Sequence, residues 1–298
     1  MKFNTEIQAL IRQRYSCRSY AQTQLSIDDL GILHSTADKC QIGPFTNQVR
    51  TEIISASREN TAELKRLGTY GFIKNPMGFV NIAAQDTQRA MVDVGYLIEI
   101  LILKATDLGI GTCWLGGTFT KSQFARTIEL RDGEIIPAVI SIGYPLDRQA
   151  LMDRISRTYA GSDRRLPWQE LFYDGSLSQP LTPHNAGQYQ KPLEMVRLAP
   201  SASNKQPWRI VHLKDQFHFY LQRTKNYPAP VFNKILKLAD LQSIDMGIAM
   251  THFELSALAS GQSGQWIIND PDLPLDKPGL EYIISWKNKT LNFSCSAL

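Results

Sequence analysis

Residues 93–114 read DVGYLIEILILKATDLGIGTCW, and residues 245–266 read DMGIAMTHFELSALASGQSGQW. At a constant separation of 152 residues, Asp93 falls on Asp245, Gly95 on Gly247, Ala105 on Ala257, Gly109 on Gly261 and Trp114 on Trp266. One such identity means little; five at a fixed spacing mark an internal repeat. Both stretches are apolar and free of proline, and each stops at a glycine, a residue that adopts positive φ without steric cost and so commonly ends a helix. The pattern predicts two equivalent long buried helices. Apolar on more than one face, they are the natural contact between two halves of the chain.

Outward from these helices the halves correspond more loosely. Residues 43–47 (Gly-Pro-Phe-Thr-Asn) match residues 199–204 (Ala-Pro-Ser-Ala-Ser-Asn), with one residue fewer between proline and asparagine. A β-rich run follows each, at 49–57 and 208–213, and late apolar strands at 135–144 and 280–286 close the halves. The first half also has the helical pattern KSQFARTIEL at 121–130, with Thr120 as N-cap. Between the halves, Gly161, Asp163, Pro167, Gly175, Pro180, Pro183 and Gly187 punctuate a wrapping segment, interrupted by a short helix at 168–173. The expected division is a first half at 1–150, a linker at 151–190 and a second half at 191–298. The class is α+β: two tandem half-repeats, each with an antiparallel-rich sheet and long buried helices, forming an intramolecular pseudo-dimer.

The composition narrows the function. With 298 residues, 43% hydrophobic and 20% charged, the chain can bury a sizeable core. The net charge of +4 is spread out, with no basic run and no basic–aromatic stripe, so nucleic acid is not an expected partner. The most apolar stretch, 96–108, is broken by Glu99, Lys104 and Asp107, which argues against a membrane span. The opening MKFNTEIQAL lacks the apolar core of a secretory signal, so a cytoplasmic location is expected. Cys17, Cys40, Cys113 and Cys295 show no paired spacing and read as reduced, buried thiols. The histidines are dispersed, so no metal site is expected; His252 reads as a hydrogen-bonded core residue, and His212 and His218 as exposed flanks of a hairpin turn at 214–216. Trp114 and Trp266, at equivalent repeat positions, suggest packing.

Three segments carry chemistry. In Arg14-Tyr15-Ser16-Cys17-Arg18, an extended backbone would put Arg14, Ser16 and Arg18 on one face, where guanidinium forks suit a phosphate. The same residues also read as a solvated basic turn after a helix. In residues 199–209, the small residues Pro200, Ser201 and Ala202 let backbone approach a flat ring, and Asn204 can both donate and accept at its polar edge. Read alone, this is a polar loop before a strand. Four glycines in residues 109–118 mark tight turns or close approach to a ligand, and read alone the stretch is a loop between helix and strand; the context is not that of a dinucleotide-binding fold.

Together, Arg-x-Ser-x-Arg, Pro-Ser-Ala-x-Asn-x-Gln-Pro-Trp and Asp-x-Gly followed by Gly-x-Gly-x-x-Trp resemble the nitroreductase family of FMN enzymes. The arginine motif is strong only in the first half and the proline–serine loop only in the second, as in fused double-repeat members where one polypeptide imitates the dimer. The resemblance implies one intact FMN site between the halves and one degenerate site. It implies that Arg14, Ser16 and Arg18 hold the phosphate and ribityl chain, with Arg165 (or its neighbour Arg164) joining them. Pro200, Ser201, Ala202 and Asn204 would line the isoalloxazine, and Leu115, Gly116 and Gly117 would lie near its N5. The implied activity is ping-pong hydride transfer from NAD(P)H, a transient reductant, through FMN to a nitroaromatic or quinone-type small-molecule acceptor. No side chain need act as acid or base, so no catalytic residue is assigned. A chain that contains its own dimer interface is expected to be a monomer. The alternative is a non-catalytic flavin-binding or storage protein; other flavin chemistry on the same fold, or a scaffold without flavin, are further rivals.

Overall fold

The computed structural model describes residues 2–55, 72–117, 119–146, 164–227, 238–274 and 278–289. The repeated stretches form the two longest helices. The first, α3 (Gln88–Asp107), follows α1 (Ile7–Gln13) and α2 (Ile27–Lys39). Thr87 caps it by accepting the Ala90 N–H, and it ends before Gly109, whose φ is +75°. The second, α7 (Leu241–Ala259), follows the short α4 (Lys121–Phe124) and α5 (Trp168–Leu171), then α6 (Gln190–Arg197). Asp240 caps it by accepting the Ser243 N–H, and it ends before Gly261, with φ +77°.

The two long helices cross in backbone contact. An added Cβ on Gly95 would lie 1.9 Å from the Ile244 carbonyl oxygen, and one on Gly247 would lie 1.9 Å from the Val92 carbonyl oxygen. Ile244 and Val92 are themselves repeat equivalents, so the contact is reciprocal, as it is in a two-fold dimer. The expectation that the long helices join the halves holds at these glycines. Their apolar faces and both sheets merge into one buried core, from Val80, Leu97 and Ile140 to Ile210, Ile248 and Trp286.

Among the described residues, each half forms one sheet. In the first, β1 (Arg50–Ser55), β2 (Gly78–Gln85), β5 (Val139–Gly143) and β3 (Gly111–Leu115) lie in that order, with β4 (Glu134–Ile135) also beside β2, and every pairing is antiparallel. In the second, the order is β6 (Phe172–Asp174), β7 (Trp208–Leu213), β8 (Gln216–Gln222), β10 (Leu280–Asn288) and β9 (Gly264–Ile267). Here only β6 against β7 is parallel. The described part of the expected linker is thus built into the fold: its helix stops at Leu171, and the next three residues supply an edge strand to the second sheet.

Two local expectations change. The helix expected at 121–130 is α-helical only over Lys121–Phe124, because the Phe124 carbonyl accepts instead from Asn81 Nδ2 at 2.7 Å and Thr127 Oγ1 at 2.8 Å. His218 is buried rather than exposed, since β10 pairs beside it in the sheet and Ser285 Oγ sits 2.7 Å from its Nδ1. His252 is fully buried and hydrogen-bonded, as expected. Cys17, Cys40 and Cys113 are free, buried thiols; Cys295 lies outside the described residues. Among the described residues no helix is long and apolar enough to cross a membrane.

Candidate functional site

The arginine segment begins where α1 stops. Arg14 takes extended backbone (φ −62°, ψ 129°), and the chain then runs beside β3, with Ser16 paired in parallel to Thr112 and the Cys17 N–H donating to the Thr112 carbonyl at 2.8 Å. Extended backbone alternates its side chains: Cys17 is buried, Arg18 exposed, and Arg14 and Ser16 lie between. All three motif residues act on one neighbour. Burial pushes the Cys113 thiol up in pKa, while the charges of Arg18 and Arg14 and the Ser16 hydroxyl pull it the other way.

Further along, β3 turns at Gly116 and Gly117 toward the other half. A Cβ on Gly116 would lie 2.7 Å from Leu241 Cδ2, and one on Gly117 would lie 2.6 Å from Leu238 Cδ2. Leu241 opens α7, so this turn of the first half sits at the N-terminal end of the second half's long helix. At the rise of a strand, the Ser16 pairing and Gly116 are about 13 Å apart, comparable to the length of a mononucleotide-sized ligand.

The proline–serine loop reaches the same helix end. The Ala202 N–H donates to Asp245 Oδ1 at 2.9 Å, and the Gln206 N–H donates to Ser201 Oγ at 2.9 Å. Ser203, Asn204 and Gln206 have φ of +50°, +53° and +49°, conformations that residues with a Cβ adopt only when their surroundings enforce them. Arg165 supplies part of that enforcement. Its Nη1 donates to Asn204 Oδ1 at 2.9 Å and its Nη2 to the Leu198 carbonyl at 3.1 Å. The Arg164 side chain is exposed, and its carbonyl accepts from Asn204 Nδ2 and Gln206 Nε2, each at 3.1 Å. The fold therefore gathers Gly116, Gly117, Pro200, Ser201, Ala202, Asn204 and Arg165 around the start of α7, with Arg14, Ser16 and Arg18 further along β3.

A buried network, absent from the sequence reading, lies behind the arginines. Glu99 is fully buried; its Oε2 accepts from Trp114 Nε1 at 3.0 Å, and its Oε1 lies 3.0 Å from His252 Nε2 and 3.7 Å from Arg14 Nε. His252 Nδ1 lies 2.9 Å from the Met195 carbonyl. Arg14 is thus held from within, its side chain 8% exposed. A buried carboxylate deprived of such partners costs several kcal/mol. The sequence signal was Glu99 itself, a lone acid in an otherwise apolar helix face.

The first half's equivalent loop is closed on itself. Asp93 Oδ1 accepts the Phe45 N–H at 3.0 Å, and Oδ2 accepts the Asn47 N–H at 3.0 Å and Asn47 Nδ2 at 2.8 Å. Phe45 occupies the position of the small residues in the other loop, with Arg89 stacked 5.5 Å from its ring centre.

Comparison with known proteins places this geometry in context. Residues 6–257 match the family model described as "Putative TM nitroreductase". A crystal structure of a protein described as a "putative nitroreductase" from Thermotoga maritima superposes with a TM-score of 0.60 at 17% identity, covering 96% of this chain and 95% of the other. A nitroreductase with bound FMN from Desulfitobacterium hafniense DCB-2 aligns over 49% of this chain and 92% of its own, with TM-score 0.41 and 20% identity. A nitroreductase family protein from Clostridium difficile 630 aligns over 57% and 96%, with TM-score 0.42 and 19% identity. No curated protein matches the chain by sequence.

Proposed function

Because the chain belongs to this nitroreductase family and has the nitroreductase-like α+β fold, we propose that it is an FMN-dependent oxidoreductase with one flavin site between its halves. The observation that carries the reading is that the first half's glycine turn and the second half's loop both reach the start of α7, with the arginine segment further back along the same strand β3. The donor set suits a phosphorylated ligand. Arg18 and Ser16 offer a guanidinium fork and a hydroxyl on one face of an extended segment, and donor-rich groups of this kind match a phosphate dianion. Arg14, held by Glu99, adds charge from within. Arg165 presents a second fork at the loop. Pro200, Ser201 and Ala202, partly exposed and small, leave their backbone open to a flat ring, and in this reading Leu115, Gly116 and Gly117 line it from the other half. Bound FMN supplies the hydride-accepting centre; the protein binds, orients and limits water.

The activity proposed is ping-pong transfer, with NAD(P)H and a nitroaromatic or quinone-type acceptor visiting the same exposed face in turn. Phe45 and the closed first-half loop account for a single site per chain, and a chain carrying both halves acts as a monomer in the cytoplasm. Purified protein given FMN, then NADH or NADPH without oxygen, tests this: bleaching of the flavin band supports turnover, and flavin that stays oxidised with either donor indicates a binding or storage protein instead.

A further inference from the structure

The two halves hold their loops on equivalent aspartates by a related scheme, but of the three loop hydrogen bonds that Asp93 accepts, one has a counterpart at Asp245. In the first half, Asp93 Oδ1 takes the N–H of Phe45, and Oδ2 takes the backbone and side-chain N–H groups of Asn47, two residues on. In the second half, Asp245 Oδ1 takes the N–H of Ala202, and the residue two on is again an asparagine, Asn204. Yet Asn204 is turned away: its Oδ1 accepts from Arg165, and its Nδ2 donates to the Arg164 carbonyl. Asp245 Oδ2 is left buried with no hydrogen-bond partner. A buried carboxylate oxygen without a donor is costly, and such exceptions call for an explanation.

Resting on the flavin reading above, we propose that Asn204 is a latch shared between Arg165 and Asp245. When a phosphate-bearing ligand engages Arg165, the guanidinium releases Asn204, whose amide swings onto Asp245 Oδ2 and closes the loop as Asn47 closes its counterpart. Three observations converge on this account: the orphaned Asp245 oxygen, the left-handed backbone of Ser203, Asn204 and Gln206, and the first half, which displays the closed arrangement within the same molecule. Burial holds the Asp245 carboxyl well above the usual carboxylate range, the Ala202 N–H opposing and the Asp240 charge reinforcing this. Asp93 is raised too, but the Asn47 bonds oppose burial there. Closure therefore makes the Asp245 carboxylate easier to form, and ligand binding should release protons. Among the described residues, the other charged or titratable groups around the loop are Arg209, whose Nη1 donates to the Gln206 carbonyl at 3.0 Å, Tyr227, whose hydroxyl lies 3.4 Å from Ser203 Oγ, Lys205 over the Tyr227 ring, and Arg223, which is paired with Asp240.

The test is FMN affinity and proton release, measured by fluorescence quenching and by calorimetry in two buffers of different ionisation heat, for the wild type, Asn204→Ala and Asp245→Asn. Asp93→Asn serves as the control in the other half. The latch predicts that Asn204→Ala weakens FMN about tenfold, that proton release falls in both second-half variants, and that Asp93→Asn leaves FMN affinity within twofold. If Asn204 merely restrains Arg165, Asn204→Ala tightens FMN instead, and the latch is overturned. Wild-type affinity and proton release in Asn204→Ala also overturn it, while leaving the flavin site intact. Failure of the wild type to bind FMN overturns both readings.

Discussion

At the scale of single residues, the structure separates two arginines that the sequence presents as alternatives. Arg165 turns inward to Asn204 and Leu198, while the Arg164 side chain is exposed. If Arg165 serves a flavin phosphate, Arg165→Lys keeps the charge but loses the two-pronged geometry. It should weaken FMN binding about tenfold, roughly 1.4 kcal/mol, with Arg164→Lys close to wild type; equal effects would remove the distinction. A second residue-level prediction concerns acid stability. The hydrogen bond and charge of Arg50 hold the Glu134 carboxyl below its usual pKa, with Arg50 Nε donating to Glu134 Oε1 at 3.0 Å. A carboxylate depressed in the folded state contributes stability that is present above its unfolded pKa and lost as pH falls through the folded value. Glu134→Gln should therefore cost about 1 kcal/mol at neutral pH, allowing for partial exposure. That difference should shrink as denaturation is followed below about pH 4. A penalty that persists undiminished in acid would assign the effect to packing.

At the scale of elements, the crossing of α3 and α7 is the most exacting contact in the molecule. Gly95→Ala and Gly247→Ala each force a methyl against a helix backbone, and should cost at least 1–3 kcal/mol by the scale of overpacking. Because the contact is reciprocal, the two losses should be similar. Gly31→Ala, in α2 with nothing near its added Cβ, should instead gain up to about 1 kcal/mol. Thermal unfolding of the three variants checks this, and a mild Gly95→Ala would mean the helices can part without penalty. This crossing was legible in the sequence, because two glycines at the repeat spacing lie inside otherwise apolar helices. Other elements were not. Phe172–Asp174 carries no alternation long enough to announce a strand, and becomes one because the edge of β7 offers it unpaired backbone groups. The pattern at 121–130 has Phe124 and Ile128 at helical spacing, but Asn81, distant in sequence, claims the Phe124 carbonyl. His218 reads as a turn residue in the sequence, but β10 pairs beside it and buries it. In each case a partner far along the chain decided the outcome.

At the scale of the whole molecule, a duplicated fold has kept its symmetry at the core and lost it at the loops. The aspartates and glycines of the long helices, and the tryptophans of the strands that follow them, still correspond, whereas Phe45 with Arg89 takes the place of Ser201 and Ala202. The sequence showed which half kept which motif. It did not show the buried link from Arg14 through Glu99 to His252, which joins the halves behind the arginine segment; that link depends on three elements meeting. The account's central claim is one FMN site per chain, built from both halves. The most direct test is the stoichiometry of FMN bound to purified, reconstituted protein of known mass in solution, by absorbance against protein concentration. The account predicts one FMN for each 298-residue chain, reduced to near zero by combining Arg18→Ala from the first half with Arg165→Ala at the second half's loop. Two FMN per chain, or none after reconstitution, would contradict it.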